Sequence, residues 1–154
     1  MSSMLSTTSQ YALRALCHLA RQPGAAVLGR DLARSVDIPA NYLSKVLLTL
    51  RNAGLVETAR GSGGGYRLRK SPHEIYLIEV VELFEEISRT NPSCFLGRTR
   101  ACSETKPCTA HSTLRGLLSA YLGFLTSTQL SAIAGTPEDL WTISSTPIRA
   151  GQPH

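Results

Sequence analysis

The residues with the most evident chemistry are three cysteines and one histidine, Cys94, Cys102, Cys108 and His111, which lie within eighteen residues in the spacing C-x7-C-x5-C-x2-H. Thiolates are soft ligands and imidazole is a borderline one, so this set selects zinc, copper(I) or an iron–sulfur cluster over magnesium or calcium. A disulfide or merely buried thiols are the alternatives. Residues 1–6 lack the basic and apolar regions of a secretory signal, and three clustered cysteines cannot all pair within one chain. The pattern therefore favours a metal or cluster site.

Positive charge is concentrated in the first half of the chain. Residues 1–70 contain ten Lys and Arg against three acidic residues, whereas residues 71–154 contain six against eight. This asymmetry is typical of a polyanion-binding module joined to a neutral half, although a basic face can also be merely solvated. The 154 residues fit one domain, or a domain with an appended arm, and no apolar run is long enough for a membrane span. We therefore expect a globular protein without a membrane partner.

Apolar periodicity predicts a mainly α-helical N-terminal half with one β-hairpin. Stripes at helical spacing mark three helices, and two short β-type segments flank a glycine run. The predicted elements are helices at 11–20, at 28–36 and from Ala40 to the break at Asn52-Ala53-Gly54, and strands at 55–60 and 66–70 around Gly61–Gly65. This order is that of a winged helix-turn-helix. Cys17 falls on the apolar side of the first helix and is assigned to the core rather than to the metal site.

The winged helix-turn-helix interpretation assigns candidate DNA contacts to two elements. The third helix would enter the major groove, and the wing would reach phosphates or the minor groove. The candidates are Asn41, Tyr42, Ser44 and Lys45 on the helix and Arg60, Arg67 and Arg69 on the wing. A nucleotide-binding loop is the alternative for the glycine run, but Tyr66 breaks the G-x-G-x-x-G spacing and no Gly-Lys-Ser/Thr follows. Double-stranded DNA is the expected partner.

The second half is predicted to carry the cysteines between two amphipathic helices. The first has apolar positions from Leu77 to Ile87 and an outer face of glutamates, which fits a solvated surface better than acid–base chemistry. An irregular loop at 90–107 follows, and the helix at 108–125 has an apolar face too wide for one neighbour, which indicates a second subunit. The expected organisation is a DNA-binding domain at 4–72, the cysteine loop and dimerisation helices at 73–134, and a flexible tail at 135–154.

Taken together, these features resemble the family of winged-helix repressors that includes IscR, NsrR and RirA. The matching stretches span residues 4 to about 134 and are Tyr11-Ala12, Asn41-Tyr42-Leu43, Asn52 to Val56, Arg60 to Tyr66 and the triple-cysteine loop. The resemblance implies a cytoplasmic homodimer with one 2Fe-2S or 4Fe-4S cluster per subunit. It further implies a DNA-binding transcriptional repressor whose operator affinity follows the state of a cluster that senses nitric oxide, redox or iron status.

The resemblance also implies roles for individual residues. The implied cluster ligands are Cys94, Cys102, Cys108 and, as the fourth, His111. Ligation by His111 favours a 2Fe-2S cluster, with 4Fe-4S as the other possibility. Gln10 stands where some relatives place a carboxylate ligand, and Ser44 stands where IscR-like members carry a glutamate. A zinc-stabilised or thiol-redox DNA-binding regulator without a cluster remains the alternative.

An enzyme is not expected. The sequence contains no G-x-S-x-G, H-E-x-x-H or Walker-type loop, and His18 and His73 have no evident catalytic partners. We therefore expect no small-molecule substrate.

Overall fold

The computed structural model describes residues 4–87, 94, 96 and 102–135. Within these residues the chain forms helices and one antiparallel hairpin, which confirms the predicted mainly α, winged helix-turn-helix class. In chain order the elements are α1 (Thr7–Ala20), α2 (Gly29–Ser35), α3 (Ala40–Asn52), β1 (Val56–Ala59), β2 (Gly65–Leu68), α4 (Leu77–Val81), α5 (His111–Ser127) and α6 (Leu130–Ala134). Most of the predicted 90–107 loop and all of the predicted tail beyond Gly135 lie outside the described residues. No helix in the described ranges has the length and apolar character needed to cross a bilayer.

One hydrophobic core gathers the helices around α1, which packs against α2, α3, α4 and α6. Leu16 and Leu19 of α1 and Leu47 and Leu50 of α3 are almost fully buried. Burial of one such leucine contributes about 1.5–3 kcal/mol. Because the apolar residues recur every three or four positions, one face of each helix is held inward and its polar face points to solvent.

The first helix begins four residues before the Tyr11 start that its apolar stripe predicts. Its N-cap is Ser6, whose hydroxyl accepts a hydrogen bond from Ser9 N at 3.1 Å. Ser6 N in turn donates to Glu85 Oε1 at 2.8 Å. A capping hydroxyl satisfies an open N–H group of the first helical turn. The apolar pattern misses this start because residues 7–10 are polar and Glu85 is distant in the sequence.

The turn between α2 and α3 sets the direction of the third helix. Asp37 takes a left-handed conformation with φ 51°, and buried Ile38 anchors the turn in the core. Helix α3 then begins at Ala40, directly after Pro39, whose missing N–H costs nothing at a helix start. Gly54, with φ 76°, follows the end of α3 as the predicted left-handed cap. The polar face of α3 therefore projects away from the core.

The hairpin forms the predicted wing and is fastened to the segment that enters α2. Its strands pair antiparallel, with Val56 opposite Leu68. Val27 N donates to Tyr66 O at 2.9 Å, and Tyr66 N donates to Val27 O at 2.8 Å. Gly65 permits this approach, because its φ is 148° and a β-carbon there would lie 2.3 Å from Val27 O. Backbone hydrogen bonds thus hold the wing against the helix-turn-helix.

The helices in the second half of the chain have different bounds from those predicted. Helix α4 ends at Val81, whereas the apolar pattern predicts a helix that continues to Ile87. Beyond α4 the chain follows turns that bring Glu85 to the N-cap of α1. Helix α5 begins at His111, three residues later than predicted, and α6 packs on α1 in a segment for which no separate helix is predicted. The division of the chain at residue 72 stays a prediction.

Candidate metal centre and nucleic-acid interface

The three loop cysteines lie together in the structure. The Sγ atoms of Cys94, Cys102 and Cys108 are all within 4.8 Å of one another, and each residue is half-buried. No disulfide joins the four cysteines of the chain, all of which are among the described residues. Three converging sulfurs form the kind of donor set that zinc and iron–sulfur clusters require.

His111 reaches the cysteines through its Nδ1 atom. It is the first residue of α5 and follows a turn in which His111 N donates to Cys108 O at 3.0 Å. This turn brings His111 Nδ1 to 3.2 Å from Cys102 Sγ, and Cys108 N donates to the same sulfur at 3.3 Å. The structure therefore brings the predicted histidine next to one of the three predicted cysteines, Cys102.

Two further side chains lie at this site, and the cysteine spacing does not indicate either of them. Glu104 Oε1 is 3.4 Å from His111 Nε2 and 2.9 Å from Arg115 Nη2. With Cys102 and the neighbouring Ser103 and Thr105, these residues line an open pocket of about 340 Å³. A weak signal was present in the sequence: His111 and Arg115 are four residues apart, which places them on one face of a helix.

The crowding of sulfurs disfavours a thiolate at Cys102. By donating to its sulfur, Cys108 N lowers the pKa of the Cys102 thiol, but desolvation and the sulfurs of Cys108 and Cys94 outweigh this effect and raise the pKa above its usual value. A bound metal would relieve the crowding, because sulfur binds metals as the thiolate and the metal charge compensates it. The donor set therefore suits a cationic centre.

Cys17 is separate from this cysteine cluster. Its side chain is buried in the core, and its thiol donates to Ile133 O at 3.8 Å. Burial raises the pKa of Cys17 to about 11, an effect that the nearby Arg21 charge partly offsets. Cys17 is thus a protonated core residue, as its position on the apolar face of α1 predicts.

The predicted DNA contacts on α3 share its exposed face. Asn41, Tyr42, Ser44 and Lys45 are all exposed, while Leu43 between them is buried. This separation follows from the helical period, which turns every third or fourth residue inward. The structure therefore gathers the four predicted residues on one solvent-facing surface of α3.

Three of these side chains already make contacts within the chain. Asn41 Oδ1 accepts a hydrogen bond from Tyr42 N at 2.9 Å. The Tyr42 hydroxyl lies 2.7 Å from Thr8 Oγ1, and the Tyr42 ring meets the Tyr11 ring edge-on with centroids 5.4 Å apart. Ser44 Oγ donates to Ala40 O at 2.8 Å. Tyr42 therefore ties α3 to α1, a role that its sequence position does not reveal.

The wing carries the three predicted arginines, all of them exposed. Arg67 Nε is 2.7 Å from Oε1 of Glu57, its partner across the hairpin. Opposite charges directly across two strands attract each other, so part of the Arg67 charge is neutralised. Arg60 and Arg69 lie just beyond the ends of the two strands. The three arginines therefore differ in the charge that they present to solvent.

The helix-turn-helix, the basic wing and the cysteine cluster together define a DNA-binding transcriptional regulator of the winged-helix class. The Rrf2 family, described as an iron-dependent transcriptional regulator, matches residues 5–136, and the chain belongs to this family. The membership confirms the resemblance to the repressors that include NsrR and IscR.

Several curated relatives are similar over most of the chain. NsrR from Halalkalibacterium halodurans is 33% identical over 137 residues, which cover 88% of this chain and 93% of that protein. NsrR from Bacillus subtilis is 34% identical over 137 residues, again covering 88% and 93%. The regulator BadM from Rhodopseudomonas palustris is 38% identical over 86 residues, which cover 56% of this chain and about half, 55%, of BadM.

Solved structures extend the similarity to the fold. CymR, the global cysteine regulator of B. subtilis, superposes with a TM-score of 0.68 at 26% identity over 86% of this chain and 97% of CymR. T. potens IscR superposes with a TM-score of 0.65 at 26% identity over 85% of each chain. At this coverage the likeness includes the second half of the chain as well as the winged helix-turn-helix.

Proposed function

We propose that this chain is a homodimeric transcriptional repressor whose operator affinity depends on an iron–sulfur cluster held by Cys94, Cys102, Cys108 and His111. The observation that carries the proposal is the convergence of three Sγ atoms within 4.8 Å, with an imidazole nitrogen 3.2 Å from one of them. This donor set suits iron–sulfur clusters and zinc. The family's description as iron-dependent favours iron over zinc. A set of three cysteines and one histidine favours 2Fe-2S over 4Fe-4S.

The four proposed ligands would differ in how firmly they bind the iron–sulfur cluster. When bound, a cluster supplies iron that can react with nitric oxide and oxidants. His111 is the neutral ligand among three thiolates and is therefore the most easily displaced. Because His111 is also the first residue of α5, movement at this corner of the site would shift the first turn of that helix. Ligand loss and helix movement are thereby linked through one residue.

We assign the exposed side of α5 to contact with a second subunit. Of the 17 residues of α5 only Leu125 is buried, whereas Leu117 and Phe124 are 60% and 50% exposed. These two side chains are two helical turns apart and lie on the same side of the helix. Packing against a second copy would remove their apolar surface from water. The resulting two-fold dimer would present two α3 helices to half-sites about 34 Å apart.

The DNA contacts would come from the exposed face of α3 and from the wing. We assign Asn41, Tyr42, Ser44 and Lys45 to the major groove, and Arg60, Arg67 and Arg69 to phosphates or the minor groove. The exposure of all seven residues and the excess of ten basic over three acidic residues in 1–70 support this assignment. Removal of one true base contact should cost about 1–3 kcal/mol of sequence discrimination.

The cluster is tested by purification without oxygen, followed by visible spectroscopy and by iron and sulfide analysis. We expect a coloured protein, and we expect Cys94→Ala, Cys102→Ala and Cys108→Ala each to lose most of the iron. Cys17→Ala is the matched control, because it removes a thiol from the core and should keep the cluster. A colourless protein with stoichiometric zinc would contradict the iron assignment and support the zinc alternative.

Control of DNA binding is tested by titrating one operator with the cluster-loaded and cluster-free protein at matched salt. We expect both forms to stay folded dimers and their affinities to differ at least about tenfold, or 1.4 kcal/mol of coupling. Lys45→Ala and Arg60→Ala should weaken operator binding in both forms. Equal affinities of the two forms would reduce the cluster to a structural role, and unchanged binding by both variants would rule out the docking surface.

A further inference from the structure

We propose that His111 binds the metal centre through Nδ1 and that Glu104, held in place by Arg115, is the positioning residue that fixes this orientation. The inference rests on the proposed function, because it concerns the histidine corner of the same site. It adds two residues to the site and assigns which imidazole nitrogen faces the metal.

The two nitrogens of His111 have different surroundings. Nδ1 lies 3.2 Å from Sγ of Cys102, one of the three clustered cysteines, whereas Nε2 lies 3.4 Å from Glu104 Oε1. A metal-bound histidine usually donates its second ring N–H to a carboxylate or carbonyl, which fixes the tautomer and the ring orientation. With the hydrogen on Nε2 pointing at Glu104, the lone pair of Nδ1 faces Cys102 Sγ.

The contact with Arg115 fixes the position of the Glu104 carboxylate. The 3.4 Å contact of Glu104 with His111 is long, whereas its contact with Arg115 Nη2 is 2.9 Å. Glu104 is 70% exposed and would otherwise move freely, so its position depends on the arginine. Arg115 is one helical turn beyond His111 on α5, and both side chains therefore meet the same carboxylate.

The backbone also supports this arrangement. Glu104 lies in a tight turn in which Lys106 N donates to Ser103 O at 3.0 Å. The turn falls between Cys102 and Cys108, so the carboxylate connects the segment that carries these two proposed ligands to the helix that carries His111, the proposed fourth ligand. Loss of this connection would leave His111 free to rotate into the open pocket of about 340 Å³ beside it. The histidine corner would then release the metal centre more readily.

The first experiment measures the rate at which the cluster-loaded protein loses its visible absorption in excess EDTA. We expect Glu104→Ala to lose the cluster about tenfold faster than the wild type, at the low end of the range for removal of a residue that supports a metal ligand. Arg115→Gln should give a smaller increase, and Glu104→Gln should restore part of the lifetime because its amide oxygen can still accept from Nε2. Lys106→Ala is the matched control in the same turn and should behave as the wild type.

The second experiment asks whether Glu104 acts through His111. In a His111→Ala background, Glu104→Ala should cause no further acceleration, because the side chain that it positions is already gone. Pulsed EPR of the reduced cluster should show a nitrogen coupling in the wild type, an altered coupling in Glu104→Ala and none in His111→Ala. An equal acceleration by Glu104→Ala in both backgrounds would assign Glu104 to loop structure and overturn the inference.

Failure of the proposed function would be visible in the wild type alone, as an absence of iron. The orientation of His111 can still be tested in that case by long-range ¹H–¹⁵N correlation spectra of the metal-free protein. We expect the hydrogen on Nε2 in the wild type and a mixture of tautomers in Glu104→Ala. A hydrogen on Nδ1 in the wild type would overturn the assignment independently of any cluster.

Discussion

Helices α1 and α5 are both long and rich in leucine, yet α1 buries seven of its 14 residues and α5 buries one of its 17. The leucines of α1 meet α3 and α6 of the same chain, whereas Leu117 of α5 points to solvent. The difference teaches that α1 lies at the centre of one core to which both halves of the chain contribute, whereas α5 leaves apolar surface exposed, which we propose packs against a second copy.

The largest contrast should appear when one leucine is shortened in each half. Leu50→Ala removes a fully buried side chain of α3 and should lower the free energy of unfolding by about 2–5 kcal/mol, measured by denaturant titration. Leu117→Ala should change the unfolding of the isolated subunit little, but should raise the dimer dissociation constant in analytical ultracentrifugation. An unchanged dimer would show that the subunits meet elsewhere.

Replacing one glycine by alanine in each half of the chain should change stability in opposite directions. Gly65→Ala places a β-carbon 2.3 Å from Val27 O at a φ of 148°, so it should destabilise the wing by about 2 kcal/mol or more. Gly116→Ala adds a methyl group to an exposed helix position with nothing within 4 Å and should stabilise α5 by about 0.5–1 kcal/mol. The unfolding temperatures of both variants, compared with that of the wild type, measure the two changes in stability. Destabilisation by Gly116→Ala would indicate that the partner subunit covers that side of α5.

The wing arginines provide a smaller test within the DNA-binding half. Arg69→Ala should weaken binding to all DNA sequences and reduce the magnitude of the salt slope by about 1, as the loss of one phosphate contact does. Arg67→Ala should have less effect because Glu57 already neutralises part of its charge at 2.7 Å. Glu57→Gln removes that competition and should strengthen DNA binding. Equal losses for the two arginines would mean that DNA displaces Glu57 completely.

The smallest effect should be an acid-dependent loss of stability at the contact between the halves. Partial burial raises the pKa of Glu85, but hydrogen bonds from the Ser9 hydroxyl and from the Ser6 N–H and hydroxyl outweigh this and leave the pKa below its usual value. The ionised carboxylate therefore stabilises the fold above the usual glutamate pKa, and this contribution is lost as the pH falls through the lowered value. Glu85→Gln should be less stable than the wild type at neutral pH and should approach it in acid. A constant difference across the pH range would contradict this role.

Local patterns in the sequence predict the parts of the molecule that depend on neighbours a few residues apart. The bounds of α2 and α3, the glycine cap and the hairpin follow from apolar spacing and turn residues, and the three cysteines are close in space as they are in sequence. The N-cap of α1 and the turns that follow α4 meet at the contact between Ser6 and Glu85, which no periodicity records. Sequence patterns miss Glu104 and Arg115 for the same reason. These two residues join the site through contacts in space, directly or through each other, with His111.

The paired hydrogen bonds between Val27 and Tyr66 have a mechanical consequence. The residues that lead into α2 thereby pair with the hairpin like a short third strand. Movement of the wing relative to the helix-turn-helix would break these hydrogen bonds. The helix that we propose for the major groove and the wing that we propose for phosphates are thus parts of one hydrogen-bonded unit. In the dimer that we propose, a signal would therefore move each such unit as a whole and would change the spacing and orientation of the two units.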